Sequence, residues 1–114
     1  MTEVEKARAG EITPALKEVA QFEGIDPEKL RVLVADGRAV INGYARPHCR
    51  VIGIGEGLST KVNANIGTSP DHADPEIELQ KLDVAVAAGA DAMMDLSTGG
   101  DIDSIRRSIL EKCT

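Results

Sequence analysis

Asn63 and Asn65 stand two apart in the block Lys61-Val62-Asn63-Ala64-Asn65-Ile66-Gly67. Each carries a donor and an acceptor on one short arm, which suits orienting a heterocycle or a sugar. On a strand, residues two apart face the same side. Turn-capping amides are the competing reading. A second block, Met94-Asp95-Leu96-Ser97-Thr98-Gly99-Gly100, offers Asp95 as an acid, a base, a hydrogen-bond acceptor or a cap. Ser97-Thr98-Gly99-Gly100 precedes a helix, where free N–H groups and the helix dipole can hold a phosphate. Plain helix capping competes with that. Met94, read alone, is core filler. Gly53-x-Gly55-x-Gly57 lacks the lysine and hydroxyl of a phosphate loop and reads as a hairpin-like approach to Lys61. His48, Cys49, His72 and Cys113 match no zinc spacing. His72 reads as an exposed loop residue, and Asp71, Asp74, Glu76 and Glu78 as a solvated helix start favoured by the dipole.

The elements that must position these residues follow from start and stop signals. Thr2 with Glu5 has capping-box spacing, and Gly10 ends a short helix. Thr13-Pro14 opens a second helix that Gly24 stops, and Asp26-Pro27 opens a third that Gly37 stops. Arg38-Ala39-Val40-Ile41 reads as a strand. Residues 42–60 read as a long connection with little regular structure, because Gly43, Pro47, Gly53, Gly55 and Gly57 break every period. Residues 61–66 then predict a strand. Asp74-Pro75 predicts a helix with Ile77, Lys81, Val84, Ala85 and Ala88 on one face, widened by Leu79, Leu82 and Val86. Residues 92–96 predict a second strand, and Ile102, Ile105 and Ile109 a last helix running to the end of the chain.

Strand, helix, strand in that order implies a parallel pair with a right-handed crossover. Parallel strands normally lie in larger sheets or barrels covered on both faces. Two of them alone leave edges open and one face bare. The fold class expected is therefore α/β, with the second half the opening of a larger alternating fold. In such folds function gathers at the C-terminal ends of the strands, where both blocks lie.

Composition narrows the classes. With 13 Lys+Arg against 19 Asp+Glu, the net charge of −6 argues against a nucleic-acid partner. One Phe, one Tyr and no Trp remove stacking platforms for single strands. No apolar run approaches the ~20 residues needed to span a bilayer, so no membrane association is expected. The acidic opening Met1-Thr2-Glu3-Val4-Glu5 is no secretory signal, and two distant cysteines are no disulfide framework. A cytoplasmic location is the expectation.

The two strand-end blocks resemble the phosphomethylpyrimidine synthase family of thiamine biosynthesis. Ala7-Arg8-x-Gly10-Glu11-Ile12-Thr13, Gly37-Arg38-Ala39-Val40-Ile41, Gly53-Ile54-Gly55-x-Gly57-Leu58 and Gly89-Ala90-Asp91 fall in the same order as in that family. The resemblance spans nearly all 114 residues. It implies a small N-terminal helical or α+β domain at 1–60, and at 61–114 the first two βα units of a (β/α)8 barrel, incomplete in this chain. It implies a radical S-adenosylmethionine lyase that turns 5-aminoimidazole ribonucleotide into 4-amino-5-hydroxymethyl-2-methylpyrimidine phosphate. Its cofactors are a 4Fe-4S cluster, S-adenosylmethionine and zinc. Substrate contacts fall on Asn65 and Met94, with Asn63, Asp95 and Ser97 as neighbours, and a homodimer is the family habit. No catalytic residue is assigned.

Two departures stand out. The family's Pro-Ala-Asn-Ile-Asn-His-like segment is replaced by Ile41-Asn42-Gly43-Tyr44-Ala45-Arg46-Pro47-His48. The zinc histidines and the three cysteines of the C-x-x-C-x4-C motif have no counterpart, so no metal ligands are expected here. The isolated chain is expected to be inactive. The alternative is a truncated, non-catalytic paralogue acting as a ribonucleotide-binding or partner-docking module.

Overall fold

The computed structural model describes residues 1–42 and 50–112. The chain divides into two compact units, Met1–Thr60 and Lys61–Thr114. His48, Cys49 and Cys113, named above as zinc candidates, lie outside the described residues, as does most of the altered 41–48 segment.

The first unit is built from three capped helices and a hairpin. Helix α1 (Glu3–Arg8) opens on a capping box: the Glu5 amide donates to Thr2 Oγ1 and the Thr2 amide to Glu5 Oε2. Helix α2 (Pro14–Glu23) is capped by Thr13, whose Oγ1 accepts from the Leu16 amide at 3.2 Å. The same hydroxyl donates to Glu3 Oε2 at 2.7 Å, so one buried side chain starts one helix and holds another. Helix α3 (Pro27–Ala35) is capped by Asp26. Ala7, Leu16, Val19, Ala20, Leu30, Leu33, Val34 and Ala39 close around one core.

Strand β1 (Ala39–Asn42) pairs antiparallel with β2 (Ile52–Gly55), Val40 opposite Ile54. The expectation of an irregular 42–60 is thus corrected. The strand hides in an Ile-Gly-Ile-Gly run because glycine is there for proximity, not for turning. A Cβ at Gly53 would sit 2.5 Å from Val19 Cγ1 and 2.8 Å from Leu58 Cδ1.

The second unit holds strand β3 (Asn63–Ile66), helix α4 (Pro75–Ala87), strand β4 (Ala92–Asp95) and helix α5 (Ile102–Lys112). β3 and β4 run parallel. Asp74 caps α4 through the Glu76 amide at 2.9 Å. The core is Ile66, Leu82, Ile105 and Ile109, joined by Leu79 and Met93. The face foreseen on α4 is corrected: Ile77, Lys81, Val84 and Ala88 are exposed and Ala85 half-buried, while the buried line runs through Glu78 and Leu82. Leu82 is sealed, whereas Ile77, Val84 and Val86 stay exposed at 48%, 70% and 43%. Two strands and two helices have too little surface to cover that face. The described residues thus make a mixed α/β chain with two small sheets.

Candidate functional site

In the register of β3 and β4, Asn63 stands opposite Ala92, Ala64 opposite Met93, Asn65 opposite Met94 and Ile66 opposite Asp95. Successive side chains leave a strand on alternate faces. Ile66 and Met93 point to the helices and join their core. Asn63, Asn65 and Met94 therefore leave from the other face, and all three are exposed. Asn63 Nδ2 donates to Asn65 Oδ1 at 3.2 Å, so the two asparagines do share a side. That bond occupies the Asn65 carbonyl and leaves its own amide N–H groups available to a ligand.

Past the strands, the segments that follow β3 and β4 are laced together. The Leu96 amide donates to Ile66 O at 2.7 Å and the Thr98 amide to Thr68 O at 2.8 Å. Buried Thr68 gives its amide to Ser97 Oγ at 3.1 Å and its hydroxyl to Gly99 O at 2.6 Å. Ser97 in turn donates through amide and hydroxyl to Asp95 Oδ1, at 2.9 and 2.5 Å. Arg106 Nε reaches Asp95 Oδ2 at 3.0 Å. Burial pushes the Asp95 carboxyl up, but the bonds from Ser97 and Arg106 outweigh it and hold the group below its ordinary value.

Those bonds sort the expected site residues. Asn63, Asn65 and Met94 come together on one open face. Asp95 and Ser97 do not join them; Asp95 faces the helix side and Ser97 is 5% exposed, each occupied with protein partners. The start of α5 is capped by Asp101, whose Oδ1 accepts from the Ser104 amide at 3.1 Å. A carboxylate at that position repels a phosphate, and the cap is Asp101 rather than any residue of Ser97–Gly100.

Glu78 is a further correction. It belongs to the acidic run read as solvated, yet it is only 2% exposed. Its Oε2 accepts from the Gly67 amide at 2.7 Å, and its Oε1 from Lys81 Nζ at 2.6 Å. The signal was its spacing: four residues before Leu82, it lies on the helix's buried face. His72 is exposed as expected, its backbone bonded both ways to Ser69.

Residues 2–114 match the radical SAM ThiC family. The chain belongs to this family. It is 52% identical over 111 residues to the phosphomethylpyrimidine synthase of Thermodesulfovibrio yellowstonii, a span of 97% of this chain and 26% of that protein. It is 55% identical over 115 residues to that of Desulforamulus reducens, spanning all of this chain and 27% of the relative. The enzyme of Thermus thermophilus shares 53% over 116 residues, again 27% of its length. This member of the radical SAM ThiC family thus spans about a quarter of the curated relatives it matches. Among its described residues, no group of three or more His, Cys, Asp or Glu could hold a metal ion. No described helix is long and apolar enough to cross a membrane.

Proposed function

We propose that this chain is the N-terminal portion of a phosphomethylpyrimidine synthase and supplies part of the wall that binds the ribonucleotide. In this reading residues 1–60 form the N-terminal domain. Residues 61–114 form the first two βα units of a (β/α)8 barrel, incomplete in this chain. The whole protein is a cytoplasmic carbon–carbon lyase, a homodimer. It rearranges 5-aminoimidazole ribonucleotide to 4-amino-5-hydroxymethyl-2-methylpyrimidine phosphate with S-adenosylmethionine, a 4Fe-4S cluster and zinc. The described residues offer no ligand set for the cluster or the zinc, so no chemical step is assigned to them. Their part is binding and orientation, since cofactors carry the hard chemistry and the protein positions the substrate.

One observation carries the reading: Asn65 and Met94 are direct partners in register on the uncovered face of a parallel pair. Asn65 donates through its amide to an acceptor on the ribonucleotide, Met94 gives an apolar wall, and Asn63 holds Asn65 in place. Asp95 and Ser97 act one step back, tying the strand ends.

The test is a titration of 5-aminoimidazole ribonucleotide into the chain, followed by backbone amide resonances. Saturable shifts are expected at Asn65 and Met94 with millimolar affinity, about −4 kcal/mol. Asn65→Ala should weaken binding about tenfold, the loss of one hydrogen bond at the upper end of its range. Identical curves for the two proteins, or no shift in either, would remove the half-site. Under anaerobic, reducing conditions the chain alone should form no pyrimidine phosphate.

The docking alternative is favoured by one feature. Beside β3, which among the described residues pairs only with β4, runs a cleft of 440 Å³ lined by Ala64, Ile77, Val84, Ala85 and Ala88. Co-purification with a full-length synthase through that edge would support it.

A further inference from the structure

We infer that Glu78 is a positioning residue for the strand-end site: it fixes the turn after β3 and thereby the direction in which Asn65 points. The inference rests on the reading of Asn65 as a ribonucleotide contact. Ordinarily a glutamate in the first turn of a helix is left in water to favour the dipole. Glu78 is instead sealed, and a buried carboxylate is tolerated only when its lone pairs are answered. One oxygen is answered by Lys81 on its own helix, the other by the Gly67 amide, two residues past Asn65. The bond to Gly67 is charge-assisted, the stronger class.

The turn it holds has little room to relax. Gly67 sits at φ +154°, and a Cβ there would meet Leu96 C at 2.5 Å and Ser97 N at 2.6 Å. The backbone of the β3 end thus lies directly on the backbone that follows Met94. Without the Glu78 carboxylate the half-buried Gly67 amide would lose its acceptor, and the cheapest remedy is to rotate that peptide toward water. Such a rotation lifts Gly67 off Leu96 and turns the strand end that carries Asn65. Ser97 and Thr68 tie β3 to β4, whereas Glu78 ties β3 to α4 by a side chain reaching the strand-end backbone.

The experiment uses the full chain and compares wild type, Glu78→Leu, Glu78→Gln and Asn65→Ala. Hydrogen exchange is read at Gly67, Ile105 and Ile109, together with the Asn65 side-chain amide resonances and the affinity for 5-aminoimidazole ribonucleotide. Glu78→Leu keeps the apolar bulk and removes the acceptor. It should raise Gly67 exchange about tenfold, shift the Asn65 amide signals, and weaken ribonucleotide binding about fivefold. Glu78→Gln keeps an acceptor for Gly67 and should restore all three to near wild type, with Lys81, half exposed, turning to solvent. Wild-type Gly67 exchange and Asn65 signals in Glu78→Leu would overturn the inference. So would equal acceleration at Ile105 and Ile109, which would make Glu78 a packing residue only. If Glu78→Leu moves the exchange and the Asn65 signals while neither wild type nor Asn65→Ala binds the ribonucleotide, the positioning stands and the substrate reading falls.

Discussion

The two units solve the same problem with different success. Neither exceeds 60 residues, a size at which a single core is marginal. In the first, eight apolar residues close around one another, and the one buried polar residue among those described, Thr13, is a cap. In the second, four apolar residues make the core, while Thr68, Glu78 and Ser97 are buried among them. Meanwhile Val62, Ile77, Val84, Val86, Met94 and Leu96 remain in water. Short antiparallel pairing lets the first unit close a larger core, although Phe22, Val40 and Ile54 stay exposed there too. A parallel pair commits its helices to one face and leaves the other open, and the second unit spends its scarce interior on polar bonds that fix two strand ends.

The largest effect that would break this contrast is at Leu82, 1% exposed in the smaller core. Leu82→Ala should cost about 3 kcal/mol. With so few partners left, this should abolish protection of the Ile105 and Ile109 amides at 25 °C. The matching change Leu30→Ala, at a fully buried site of the first unit, should cost a similar ~3 kcal/mol but leave that unit folded in water. Residue-resolved urea melts decide. A second unit that survives Leu82→Ala would be a closed domain, and the contrast would be wrong. Next comes Gly53→Ala, whose new methyl meets Val19 in a filled core and should cost about 2 kcal/mol in the first unit.

A smaller effect sharpens the comparison at the strand ends. A carboxyl held below its ordinary value binds its proton more weakly folded than unfolded. The stability Asp95 contributes is therefore complete above its ordinary value of 3.8 and is lost as pH falls through the lower, folded one. Asp95→Asn should destabilise the second unit by about 1 kcal/mol at pH 7. The gap between the two proteins should close as pH drops below that range. A gap that is constant from pH 7 to pH 2 would mean the Ser97 and Arg106 bonds do not depend on the charge.

The sequence disclosed most where one residue has one job. Thr2, Thr13, Asp26 and Asp74 announced their helices, and each caps as its type and position require. The sharing of a side by Asn63 and Asn65 was readable from the two-residue period alone. Strand β2 was not, because a glycine that admits a neighbour's side chain looks the same as one that permits a turn. Glu78 was not, because its partner is a backbone amide eleven residues away and only the fold brings them together. Asp95 and Ser97 were seen as a pair with chemistry, but which side of the pair the helices cover is set by the fold, and it puts Asp95 on the helix side with Met93 and leaves Ser97 buried.

The smallest expected effect tests the open face itself. Val84 is 70% exposed on α4 and lines the cleft beside β3. A surface change there that leaves helix propensity nearly untouched should alter stability by no more than about 0.5 kcal/mol, so Val84→Gln should melt with the wild type. A polar side chain in that cleft should nevertheless reduce whatever apolar association it supports. Sedimentation across a concentration series should show less self-association for Val84→Gln than for wild type. Loss of stability with no change in association would mean that Val84 packs against this chain's own residues in solution, and that the second unit closes itself after all.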